Sequence, residues 1–189
     1  IDTFILEKLQ EKGLIFSPEA NQDTLIRRTY LDLIGIPPTL TEWEEWHAND
    51  DPNWHSQLVD ELLASPRYGE RWGRHWLDVA RFGESHGYES DNERPSAWTY
   101  RDAVIRALNQ DMPFDQFVRW QVAGDVIKSD DPLAVSLTGF LTAGSTVTNV
   151  DGVDREKATY DKMDDIVSAT GAAFLGLTIG CARCHDHKY

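Results

Sequence analysis

The chain has 189 residues and 41% hydrophobic content, enough for a sizeable core. It carries 18 basic against 32 acidic residues, a formal charge of −14. That surplus repels phosphate backbones, which excludes nucleic acid as a natural partner and favours cationic ones. Seven Trp, seven Phe and six Tyr are unlike the composition of a disordered chain. The run Ala169–Ala182 holds three glycines and falls short of the about 20 apolar residues a bilayer span requires, so no transmembrane helix is expected. The chain opens on Ile1 with no basic leader, and reads as a piece of a longer precursor.

Helical signals follow one another along the chain. Ile1, Phe4, Ile5 and Leu9 recur at helical spacing, with Gly13 as a stop. Asp23 is placed to cap a helix through Ile26, Tyr30 and Ile34, ended by Gly35 and Pro37. Thr41 starts a short helix with Trp43 and Trp46, and Asn53 caps the next, through Leu58 and Leu62. Pro66 suits the first turn of a helix carrying Tyr68, Trp72, Trp76 and Val79. Residues 83–96 are polar and read as a loop. Ser96 precedes a helix with Val104 and Leu108, and Pro113 opens one with Phe114, Phe117 and Val118. Pro132 leads into Leu133, Leu137 and Phe140. Residues 145–150 are β-prone. Asp154 begins a long segment through Met163, Val167 and Phe174, loosened at its end by Gly171, Gly176 and Gly180. The pattern predicts a single all-α domain over residues 1–189, an irregular multi-helix bundle ending in a haem attachment motif.

That motif is Cys181-Ala182-Arg183-Cys184-His185, the C-x-x-C-H pattern of c-type haem attachment, and it uses both cysteines of the chain. Two thiols one turn apart match the two vinyl groups on one porphyrin edge. The histidine that follows is held beneath the iron as proximal ligand. Covalent haem c implies maturation outside the cytoplasm, in the periplasm or an equivalent compartment. Two competing readings use the same residues: a local dithiol or disulfide, and zinc held by Cys181, Cys184 and His185 or His187. A thioredoxin-like motif would sit beside a βαβ pattern, which is missing.

For the opposite face of the iron, Met163 is the leading distal ligand, and its competing reading is a core methionine. Met112 and His86 are further choices, and an open site is another. His187 is tethered too close to His185 to reach the opposite face. His75 reads as a packing histidine, and His47 and His55 as surface residues. The acidic loop around Glu84, His86, Glu89 and Asp91 offers oxygen ligands for calcium without EF-hand spacing. Arg67, Arg71, Arg74 and Arg81 recur at helical intervals. Glu70, Asp78 and Glu84 are their expected partners, with Trp stacking or haem propionates as alternatives.

Four runs, LIRRTYLDLIGIPPT (25–39), LLASPRYGERWGRHWLDVARF (62–82), AWTYRDAVIRALNQDMPFDQFVRWQVAGD (97–125) and GLTIGCARCHDHKY (176–189), cover much of the chain. Together they resemble a domain of unknown function abundant in planctomycetes and related bacteria. That domain occurs in long exported proteins, often after a planctomycete-type cytochrome c domain and before a second companion domain. The resemblance implies an exported, cytochrome-associated protein whose partners are adjacent domains of the same precursor or a redox partner. The expected function is electron transfer through covalent haem c. A haem-dependent oxidoreductase, a carbohydrate-processing module and a structural domain are the alternatives.

Overall fold

The structure is a computed structural model that describes residues 1–87, 91–145 and 154–186. The described residues form nine α-helices with short 3-10 and π turns, and no strand. The all-α expectation therefore stands. One isolated bridge pairs Ser85 with Glu93. Among the described residues no helix is long and apolar enough to cross a membrane. The chain divides into two compact units, residues 1–61 and 62–189.

The first unit holds α1 (Asp2–Glu11), α2 (Gln22–Leu33), α3 (Leu40–His47) and the start of α4 (Trp54–Leu63). The caps differ from the sequence reading by two residues. Asn21, not Asp23, caps α2: its extended backbone lets the side chain accept from Thr24 N at 3.0 Å. Asp23 already lies inside the first turn, where its carboxylate holds His47 Nδ1 at 2.7 Å. Thr39, not Thr41, starts α3, through a capping box with Glu42. Gly35 ends α2 at φ +77°, a conformation that disfavours any side chain.

The second unit contains the C-terminal end of α4, then α5 (Pro66–Val79), α6 (Trp98–Asn109), α7 (Phe114–Ile127), α8 (Pro132–Leu137) and α9 (Arg155–Thr170). Pro66 and Pro132 occupy first turns, where no N–H partner is required, and Ser65 and Asp131 supply the caps. Helices α5 and α6 pack through Gly69 and Gly73. Gly69 N donates to Asn109 Oδ1 at 2.8 Å, and a Cβ at Gly73 would meet Ile105. The core gathers Tyr100, Val104, Phe117, Leu133, Leu137 and Phe140, with Trp76 and Phe174 against it. Trp76 contacts Phe117 edge-on at 4.9 Å between ring centroids, and Phe140 lies 4.9 Å from Phe174. A buried polar chain crosses this core: Trp76 Nε1 donates to the Tyr100 hydroxyl at 3.0 Å, which donates to Gln121 Oε1 at 2.9 Å. Burial raises the Tyr100 pKa well above its ordinary value, so the hydroxyl stays protonated and able to donate.

Within the polar loop, Arg94 ties the described residues to the segment after α8. Arg94 Nη1 donates to Gly83 O at 2.9 Å and Ala143 O at 2.7 Å, and Nη2 donates to Thr142 O. The β-prone segment lies outside the described residues apart from Ser145.

Candidate haem-attachment turn

After α9 the chain passes through a π turn (Gly171–Leu175), reverses at Gly176 with φ +64°, and returns as a 3-10 turn over Gly180–Arg183. The returning segment runs antiparallel along one stripe of α9. Asp161, Asp164, Ser168 and Gly171 form that stripe, at steps of three, four and three residues. Ile179 lies against Gly171, where a Cβ would sit 2.6 Å from Ile179 Cδ1. Gly180 lies against Ser168, where a Cβ would sit 3.3 Å from Oγ. Arg183 reaches the far end: Nη2 pairs with Asp161, and Nη1 lies 3.6 Å from Asp164. Its hydrogen bond to Asp161, helped by both carboxylate charges, raises the Arg183 pKa further above its ordinary value.

The 3-10 geometry sorts the side chains of the turn. Residues three apart eclipse one another in a 3-10 helix. Gly180 and Arg183, three apart, both meet α9, and Cys181 and Cys184 are three apart across the end of the turn. Cys184 N closes the turn on Cys181 O at 3.2 Å. Both thiols are free and exposed. His185 follows, also exposed, with Nδ1 3.0 Å from the Asp186 carbonyl oxygen. A carbonyl only accepts, so Nδ1 donates in this contact and, in the neutral ring, Nε2 is the nitrogen left to bind a metal. Two exposed thiols three residues apart, followed directly by a histidine, fit the donor set a c-type haem requires.

The other sequence-nominated residues fall elsewhere. Met163 is on α9 but off the stripe, turned about 200° from Asp161 and about 100° from Asp164. It is 56% exposed, in a row with exposed Tyr160 and Val167. Met112 packs against the core. His86 is half-buried in the loop, with a buried Nδ1 that has no partner among the described residues. His187 lies outside the described residues. His75 is not a packing histidine: it is exposed, with its ring 5.5 Å from that of Trp72. Phase explains this, because α5 turns Gly69, Gly73 and Trp76 inward and His75 away from them. His47 and His55 are exposed, as expected, although His55 Nε2 is 3.1 Å from Thr29 Oγ1.

The expected arginine partners are replaced by distant ones. Arg81 pairs with Asp165 of α9, and Glu84 pairs with Arg101. Arg81 takes φ +59° just past α5, outside the helix that carries Asp78. Arg71 and Arg74 line a groove of about 590 Å³ with Glu70 and Asp78, and neither forms an ion pair among the described residues. Of the acidic loop, residues 88–90 lie outside the described residues. Asp91 Oδ1 accepts from Gly87 N at 3.2 Å. Among the described residues no three His, Cys, Asp or Glu gather as a metal site.

Spacing nominates the two thiols and the histidine, and the structure leaves all three exposed at the turn and just after it. The contacts of Arg183 with Asp161 and Asp164 were not anticipated: their only local signal is an arginine inside the motif and two acids one turn apart 19 to 22 residues earlier. The sequence model of one protein family, PSCyt2, protein of unknown function (DUF1549), matches residues 1–189. Neither a curated protein nor a solved structure matches the chain.

Proposed function

We propose that this chain, which belongs to the PSCyt2 family, is an exported electron-transfer module that carries one covalent haem c. The observation that carries the reading is the 3-10 turn that starts beside Cys181 and closes at Cys184, with both thiols exposed and His185 directly after it. Each thiol adds across one vinyl group of an iron protoporphyrin. A C–S bond forms at one vinyl carbon, the thiol proton passes to the other, and no net oxidation occurs. His185 Nε2 would hold the iron, and Nδ1–H donated to Asp186 O would keep the ring in that tautomer. Once attached, the group supplies a one-electron iron couple. The chain's own contribution is to hold the three donors on a turn braced against α9. It assigns only His185 to the iron.

The −14 charge favours a redox partner with a basic docking face. Thioether formation places maturation outside the cytoplasm. The resemblance of the whole chain to a cytochrome-associated domain supports an adjacent domain of the same precursor as the donor or acceptor.

The test is the intact mass and pyridine haemochrome spectrum of the chain produced with c-type maturation machinery. A haem-sized adduct with a c-type spectrum is expected. A folded, colourless chain whose mass is that of the free dithiol, or two hydrogens lower as a disulfide, would overturn the proposal.

A further inference from the structure

The Cys-x-x-Cys turn is not a free tail. Three contacts hold it along one stripe of α9, and the strongest uses the only charged side chain between the two cysteines. Arg183 stands on the side of the 3-10 turn opposed to α9, with Gly180 one turn before it. Gly180 permits close approach to Ser168, and Arg183 then spans Asp161 and Asp164. A guanidinium can give separate N–H groups to two carboxylates at once, which a single ammonium meets less well. Asp161, Asp164 and Asp165 crowd three like charges onto one helix face. Arg183 and Arg81 are the cations that meet them.

We infer that Arg183, Asp161 and Asp164 form a clamp that docks the turn on α9 before haem arrives, making Arg183 a positioning residue for thioether attachment. This rests on the haem reading above. Ordering the turn in advance has a physical consequence. Both thiols stay exposed on a turn whose backbone is already closed, so the second addition proceeds from a shaped turn. The clamp uses Arg183 and leaves both thiols free, so docking and attachment do not compete. His185 follows the clamp by two residues, so the same ion pairs limit how far it moves from α9.

The test compares wild type, Arg183→Ala, Arg183→Lys and the double variant Asp161→Asn with Asp164→Asn. Amide hydrogen exchange over residues 180–186 is read in the haem-free chain. Covalent adduct by intact mass, and the reduced α-band, are read after production with c-type maturation machinery. Loss of an exposed ion-pair network predicts about fivefold faster exchange in Arg183→Ala and in the double variant. Adduct yield should fall, helicity should be unchanged, and Arg183→Lys should recover part of both losses. The double variant removes the clamp from the α9 side, so a folding defect of one variant does not decide the outcome. If wild type gains haem and every variant matches it in exchange, yield and band position, the clamp is overturned while the haem reading stands. A wild-type chain that gains no adduct overturns the haem reading itself, and with it a role for the clamp in attachment.

Discussion

Gly171 and Ile179 touch where the chain folds back along α9: a Cβ on Gly171 would lie 2.6 Å from Ile179 Cδ1 and 3.2 Å from the Leu177 carbonyl oxygen. Gly171 has ordinary helical angles, φ −60° and ψ −46°, so it is not required for backbone freedom. It is required because the returning segment occupies the space a methyl group would fill.

Gly171→Ala therefore sets two effects against each other. Alanine in a helical conformation gains about 1 kcal/mol over glycine. Overpacking against Ile179 and a backbone oxygen costs about 1–3 kcal/mol. The collision lies between α9 and the returning segment, so the segment should yield rather than the helix. The expected result is a Tm little changed and faster amide exchange over residues 177–184. Adding Ile179→Ala should restore the protection. Equal exchange in wild type and Gly171→Ala would show that the two residues do not touch.

Helix starts were legible in the sequence because their chemistry is local. Pro66, Pro132 and Gly35 do at their positions what any chain would make them do. The two-residue errors at Asn21 and Thr39 have one cause. Two capping residues compete within each start, and backbone extension decides which side chain reaches back. Spacing likewise nominates Cys181, Cys184 and His185 as one unit, because five consecutive residues carry the whole motif. Arg94 and Arg183 were illegible for the opposite reason. Arg94's partners are 11 and 48 to 50 residues away and Arg183's are 19 to 22, and nothing in a charged residue's neighbours along the chain tells which distant oxygen it will meet.

The Tyr100 hydroxyl bridges Trp76 and Gln121 inside the core, and burial raises its pKa. A tyrosine whose folded pKa exceeds its unfolded value near 10 gives its full stability below that pH and loses it as pH rises toward the folded value. Thermal stability should fall above about pH 10 more steeply in wild type than in Tyr100→Phe. At pH 7 the phenylalanine variant leaves Trp76 N–H and Gln121 Oε1 without this partner, and should be less stable by about 1–3 kcal/mol. Parallel alkaline limbs for the two proteins, measured by denaturant titration at several pH values, would remove Tyr100 as the titrating group.

The haem proposal predicts two kinds of product from three substitutions. Cys181→Ala and Cys184→Ala should each leave one thioether, with one vinyl group still conjugated and the pyridine haemochrome α-band moved to longer wavelength. His185→Ala should keep both thioethers in the mass spectrum but change the spin state, because the axial nitrogen is gone. Loss of colour in all three variants together would point to failed folding, which the helical circular dichroism of the same samples resolves. An unaltered spin state in His185→Ala would transfer the axial role to another residue.

Arg94 holds the loop of residues 83–96 to the end of the 3-10 turn after α8 by donating to the carbonyls of Gly83, Thr142 and Ala143. These oxygens belong to backbone with no strand or long helix to satisfy them. Arg94→Ala should cost about 2–4 kcal/mol, because charged hydrogen bonds to at least two partly buried acceptors are lost together. Arg94→Lys should recover less than half of that, since one ammonium cannot span oxygens that the planar guanidinium reaches from two nitrogens. The loss should be local before it is global. Amide exchange at His86 and Arg94, whose N–H groups bond to Asn92 O and Glu84 O at 2.8 Å each, should rise ahead of exchange in the Val104 and Phe117 core. Protection at His86 unchanged in Arg94→Ala would mean that the short ladder around Ser85 and Glu93 orders the loop without the arginine.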